Sequence, residues 1–66
     1  MSWHYQVRKR VINGDAFFDM IEMFDGPMGW TKDSIAPCGD TKEELLADLR
    51  RMLADAETHP IFEEPS

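Results

Sequence analysis

The stretch that decides the fold is Trp3–Phe24, WHYQVRKRVINGDAFFDMIEMF, in which two runs of strand-forming residues flank Asn13-Gly14. Asn-Gly between such runs is typical of a two-residue type I′ turn, because both turn residues must accept positive φ. The stretch therefore predicts a β-hairpin, and the length of the turn sets its register. Ile12 is expected opposite Asp15, and the pairing continues outward to the ends of both strands.

This register divides the hairpin side chains between two faces, because successive strand residues point to opposite sides. On one side of the hairpin, the second face, Arg8 lies opposite Asp19 and Arg10 lies opposite Phe17. These are an ion pair and a cation–aromatic pair, and both support the register. The first face is mostly apolar and is the expected core face. It holds Trp3, Tyr5, Val7, Val11, Ala16, Phe18, Met20 and Phe24, with Lys9 and Glu22 among them.

A third strand is expected after the hairpin. Asp25 to Gly29 is rich in turn residues, and the following Trp30 to Ala36 can form a short strand. Strands joined by such short turns are antiparallel neighbours. The sequence therefore predicts a three-stranded antiparallel meander.

One helix follows the strands. Thr41 and Glu44 match the capping box of a helix start, and His59-Pro60 ends the helix because the residue before proline is pushed out of the α region. An apolar stripe is expected to pack on one face of the sheet; it holds Leu45, Leu46, Leu49, Met52, Leu53 and Ala56. The prediction is a two-layer α+β fold with a C-terminal helix, one β-β-β-α domain over residues 1–62, and a frayed tail over residues 63–66.

Composition narrows the classes of function. The chain has 66 residues, one cysteine and a net charge of −6, and residues 40–66 alone carry −5. This balance disfavours nucleic acid as a ligand and favours a basic protein partner. A single cysteine fits a reducing, cytoplasmic setting, and neither a signal peptide nor a membrane span is expected.

No catalytic, cofactor-binding or metal-binding residues are predicted. His4 and His59 do not have the spacing of a metal motif, and exposed histidines are the expectation. Cys38 precedes a helix start, where a thiolate would be stabilised, but the sequence offers it no neighbouring base, and a small turn residue is expected. Tyr5 lies opposite Glu22 and is expected to donate its hydroxyl proton to that carboxylate.

The sequence points most clearly to an interaction surface. Because one helix covers one face of a small sheet, the second face is expected to stay open, and exposed apolar area of this kind marks an interface. Its candidate residues are Phe17, Ile21 and Met23, flanked by Arg8 and Arg10. We expect a non-catalytic protein that self-associates or binds a protein there, which would also stabilise so short a chain. In the alternative, loops or Ile61-Phe62 cover this face.

Residues 39–45, GDTKEEL, resemble the G-D-T-x-E-E-(A/L) segment at the helix start of HicB-like antitoxins. Strands of the kind formed by residues 5–7 precede that segment in the family. The resemblance implies a partial RNase H-like β-β-β-α core and an antitoxin that self-associates and neutralises a small basic RNA-cleaving toxin. The loop before G-D-T is shorter here than in the family, and the 66 residues hold no counterpart of the family's DNA-binding extension.

A second resemblance shares Gly39-Asp40-Thr41 with the first and adds other residues. Trp3, Tyr5, Trp30-Thr31 and Pro37 followed by Gly39-Asp40-Thr41 look like the corresponding residues of a group of small bacterial and phage proteins of similar length. That group has no assigned activity, so this resemblance implies no function.

Overall fold

The structure is a computed structural model that describes residues 2–25 and 29–64. It contains strands β1 (Trp3–Ile12) and β2 (Asp15–Phe24), helix α1 (Lys42–Thr58) and strand β3 (Phe62–Glu63). The strands form one sheet in the order β2-β1-β3. The α+β class is confirmed, and within the described residues the helix is too short and too polar to cross a membrane.

The hairpin has the predicted register. Asn13 and Gly14 adopt φ values of 53° and 85°, as a type I′ turn requires. Ile12 pairs with Asp15, and the antiparallel ladder runs without a break to the pairing of residue 3 with residue 24. The local chemistry of one dipeptide therefore sets ten cross-strand pairs.

The predicted third strand does not form over residues 30–36. The amide of Thr31 donates to the carbonyl of Glu22 at 3.0 Å, and the amide of Ile35 donates to that of Met20 at 2.9 Å. Four residues of this segment thus span only two residues of β2, which is incompatible with a regular ladder. The segment lies irregularly along the outer edge of β2, and the predicted turn before it includes residues 26–28, which lie outside the described residues.

The third strand instead follows the helix. β3 pairs in parallel with Arg8 and Lys9 of β1, so the sheet is mixed rather than antiparallel and the helix is not the last element. A parallel connection needs a crossover, and α1 lies within it. Glu63 belongs to β3 and the Glu64 amide donates to the Lys9 carbonyl at 3.2 Å, whereas a frayed tail was expected from residue 63. Residues 65 and 66 lie outside the described residues.

The helix begins and ends as predicted but is rotated from its expected orientation. Thr41 is the N-cap, with its hydroxyl accepting from the Glu44 amide at 3.1 Å, and His59 is the C-cap. Met52 of the leucine stripe is buried, whereas Leu49 and Leu53 are exposed. Leu45 and Leu46 are half-buried, and Leu49 and Leu53 stay exposed because aspartates on a neighbouring side of the helix bond to β1, as described next.

Two hydrogen bonds to Tyr5 place the helix beside the free edge of β1. The Tyr5 amide donates to Asp55 at 3.0 Å, and the Tyr5 hydroxyl donates to Asp48 at 2.7 Å. The Arg51 guanidinium lies 4.1 Å from the centroid of the Trp3 ring on the first face. The helix therefore covers only the start of the hairpin. The predicted bond from Tyr5 to Glu22 is replaced by the bond to Asp48.

Candidate interaction surface

Most of the second face is covered, so the prediction that this face stays open is wrong. Arg8 and Ile21 are both 0% exposed, and Met23 and Arg10 are half-buried. Phe17 is 52% exposed and is the member of the predicted set that presents a large apolar surface.

Two segments cover this face. Arg8 donates to the carbonyl of Lys32 at 2.7 Å, which ties segment 30–36 to the sheet. At the other margin Gln6 donates to the carbonyl of Pro60 at 2.7 Å. Trp30 and Phe62 join the two segments, with ring centroids 4.8 Å apart. The alternative that loops and the tail cover this face is the arrangement found.

Arg8 is the centre of a buried ionic cluster. Its Nε and Nη2 bind the two carboxylate oxygens of Asp19 at 3.0 and 2.5 Å, and its Nη1 lies 3.2 Å from Glu64. This bidentate bond holds the pKa of Asp19 below its usual range. The predicted Arg8–Asp19 pair is confirmed, and its role is structural.

The predicted pair of Arg10 and Phe17 is a cross-strand pair, but the guanidinium has other partners. Arg10 lies 3.8 Å from Asp19 and 3.6 Å from Glu64. The cation–aromatic contacts in the described part of the chain belong to Arg51. The Phe17 ring is therefore left available to solvent.

The far end of the hairpin projects beyond everything that covers the sheet. Each strand has 10 residues, which gives a length of about 33 Å at roughly 3.3 Å per residue. Along the outer edge of β2, segment 30–36 reaches Met20, and along β1 the segment that contains β3 reaches Lys9. Beyond these points lies the hairpin end, which we define as four exposed apolar residues: Val11 (66% exposed), Ile12 (44%), Phe17 (52%) and Phe18 (60%).

The outer edge of β2 is unpaired within the hairpin end. Because Ile12 and Asp15 close the hairpin, the backbone groups of Ala16, Phe18 and Met20 point away from β1. The Met20 carbonyl accepts from Ile35, but in residues 2–25 and 29–64 no backbone group pairs with the outward groups of Ala16 or Phe18. The hairpin end thus combines exposed rings on both faces with free backbone donors and acceptors.

The structure brings the two histidines together and leaves both half-buried, where exposed histidines were expected. His4 stacks on His59 with ring centroids 3.6 Å apart, and Cys38 is exposed, with its amide donating to Asp48 at 3.1 Å. In the described parts of the chain no three His, Cys, Asp or Glu residues are placed to hold a metal ion.

The Tyr5 hydroxyl is expected to ionise at a higher pH than an ordinary tyrosine. Burial raises its pKa to about 12 from 10.0, and the bond to Asp48 acts in the same direction. The folded chain then keeps this proton at a pH where the unfolded chain has lost it, so the free energy of unfolding falls as the pH rises from 10 toward 12. Tyr5 is the chain's single tyrosine, so absorbance of the tyrosinate reports it alone. Asp48→Asn should lower the midpoint pH of the Tyr5 titration. A wild-type titration midpoint near pH 10 would contradict the expectation.

Sequence reasoning missed part of this surface. Val11 and Phe18 were assigned to the core face, and Ile12 was not considered for an interface. The alternation of side chains shows which face a residue occupies, but not how far along the strand the helix reaches. The available signal was a mismatch in length: each hairpin strand has 10 residues, whereas the segment that covers it is short.

Comparisons of the chain with protein-family models, with curated proteins and with solved structures found no match.

Proposed function

We propose that this chain is a non-catalytic protein-interaction module that self-associates through the hairpin end. The observation that carries the proposal is the grouping of Val11, Ile12, Phe17 and Phe18, all exposed, at the uncovered end of a rigid hairpin. An aromatic side chain offers about 200 Å² for burial, so the two rings together expose roughly 200 Å². Together with the unpaired backbone of the outer edge of β2, this exposed apolar area supports an interaction surface.

The partner is a second copy because the surface is complementary to itself. Exposed rings on both faces of the hairpin can pack against the same rings of another copy, as an isologous contact requires. A reducing, cytoplasmic location is proposed with it, since a free, exposed Cys38 suits that setting.

Light scattering on the eluting peak of a sizing column, over a dilution series, tests the proposal. The wild-type chain is expected to approach twice 7.6 kDa at high concentration, and Phe18→Ser should stay at the single-chain mass. Leu53→Ser is the matched control, because Leu53 is 62% exposed on the helix and Phe18 is 60% exposed on the hairpin. A monomeric wild type at millimolar concentration, or dissociation by Leu53→Ser alone, would refute the hairpin end as the interface.

An alternative proposal is a HicB-like antitoxin that binds a small basic ribonuclease toxin. Its support is the charge of −5 over residues 40–66, which suits a basic partner. Mixing the chain with a short basic protein encoded by a neighbouring gene tests it. A stable complex that blocks RNA cleavage would favour the alternative, and no complex at low salt would count against it.

A further inference from the structure

We propose that the second copy adds to the outer edge of β2, so that residues 15–19 of the two copies pair antiparallel about Phe17. The two three-stranded sheets then join into one six-stranded sheet. This inference rests on the proposed self-association and specifies its geometry. It concerns the backbone edge of the hairpin end as well as its side chains.

The free edge has two definite limits. At one side the chain turns at Asn13-Gly14, and at the other the Met20 carbonyl is already bonded to Ile35. Between them lie five residues without proline, lysine or a β-bulge, which are among the devices by which proteins protect an edge strand from pairing; the charged residues of this edge are Asp15 and Asp19. An edge with free backbone groups is a template for another strand, and antiparallel pairing of identical strands satisfies a two-fold axis.

The free backbone groups select the register. Centring the pair on Phe17 places Ala16 opposite Phe18 of the other copy, so all the outward groups of both residues are bonded in both copies. Centring it on Ala16 would require Gly14, which is in the turn, to pair with Phe18. Centring it on Phe18 would require Met20, whose carbonyl is occupied.

Side chains fit the same register. On the second face the two Phe17 rings become direct neighbours in a non-hydrogen-bonded pair, where side chains are closest. On the first face each Phe18 ring lies beside the small Ala16 side chain of the other copy. Both rings that the isolated chain exposes are thereby buried.

Charge and area set the strength of the contact. Asp15 falls opposite Asp19 of the other copy, but the Asp19 carboxylate is already bound by Arg8 and lies 3.8 Å from Arg10. A five-residue pairing buries less than the roughly 800 Å² per partner of a standard stable interface, so the dimer should be concentration-dependent. Asp15→Asn should tighten it severalfold by removing the remaining like charge.

Disulfide cross-linking tests the register, in a Cys38→Ser background. In the proposed pair the Phe17 Cα atoms are about 4.5 Å apart, which a disulfide can span, whereas the Phe18 Cα atoms are about 9 Å apart, which it cannot. Phe17→Cys should therefore form the disulfide dimer at least tenfold faster than Phe18→Cys, although both positions are exposed. Equal rates, or faster cross-linking through position 18, would overturn the register.

The Ala16→Pro variant keeps the Phe17 and Phe18 rings but removes the outward N–H of residue 16. Edge strands tolerate proline at such a position. With the fold checked by circular dichroism, this variant should be monomeric where the wild type is dimeric. A wild-type dimer that persists in Ala16→Pro would overturn edge pairing and leave the proposed self-association intact. A monomeric wild type would refute both, so the two failures are distinguishable.

Discussion

Asp19→Asn is expected to destabilise the fold by about 3–5 kcal/mol, because it leaves the fully buried Arg8 without its bidentate carboxylate. A chain of 66 residues has a total free energy of unfolding of roughly 3–10 kcal/mol. The variant should therefore be partly or wholly unfolded at room temperature. Urea unfolding followed by circular dichroism measures the loss.

The matched control is Glu63→Gln. It breaks the exposed ion pair between Lys9 and Glu63, whose atoms are 3.8 Å apart. Exposed pairs contribute about 0–1 kcal/mol, so the control should barely change the free energy of unfolding. Similar losses for Asp19→Asn and Glu63→Gln would contradict the assignment of a buried ionic cluster.

The same carboxylate gives a pH dependence with a definite sign. The bond from Arg8 lowers the pKa of Asp19 below the ordinary value of 3.8 for an aspartate. The contribution of the ionised Asp19 to the free energy of unfolding is therefore present above pH 3.8 and is lost as the pH falls through the lower pKa of the folded state. Wild type should lose stability below about pH 4, and so should the control Glu63→Gln, in which Asp19 is unchanged. A free energy of unfolding that does not fall there would contradict the prediction.

Ile21→Ala is expected to cost about 2–5 kcal/mol, because Ile21 is completely buried and truncation leaves a cavity. Phe17→Ala is the control on the same strand and face. Although it removes more atoms, Phe17 is 52% exposed, so its loss in a monomeric sample should stay below about 1 kcal/mol. Thermal unfolding at low concentration compares the two variants.

This contrast changes how the interface can be tested. Ile21→Lys would place a charge in the core and unfold the chain, so a loss of association in that variant would say nothing about an interface. If Ile21→Ala and Phe17→Ala were equally destabilising, the covering of the second face by segments 30–36 and 59–64 would be wrong.

What the sequence could predict is local. Asn13-Gly14 dictates a turn by its own backbone preferences, and the turn then determines every pair of the hairpin. Thr41 and Pro60 likewise define the helix ends through groups close in sequence. These predictions needed no knowledge of the remaining chain.

What it could not predict depends on distant segments. The leucine stripe suggested the face on which the helix packs, but bonds from Tyr5 to Asp48 and Asp55 orient it instead. Arginine is rarely fully buried, so the burial of Arg8 was not expected. The residues near Arg8 in sequence do not indicate that Glu64 completes its ionic cluster. Phe17 was correctly placed at the surface because no later segment reaches it, whereas Ile21 and Arg8 were misplaced because two segments do.

The pairing of β3 with β1 has a consequence for the order of folding. Hairpins form within microseconds because their strands are adjacent in sequence, and β1 and β2 have that advantage. Arg8 and Glu64 are 56 residues apart, so β3 can dock only after nearly the whole chain has closed into a loop. We therefore expect the hairpin and the helix to assemble first and the few residues of β3 to dock last, completing the contacts of the buried Arg8.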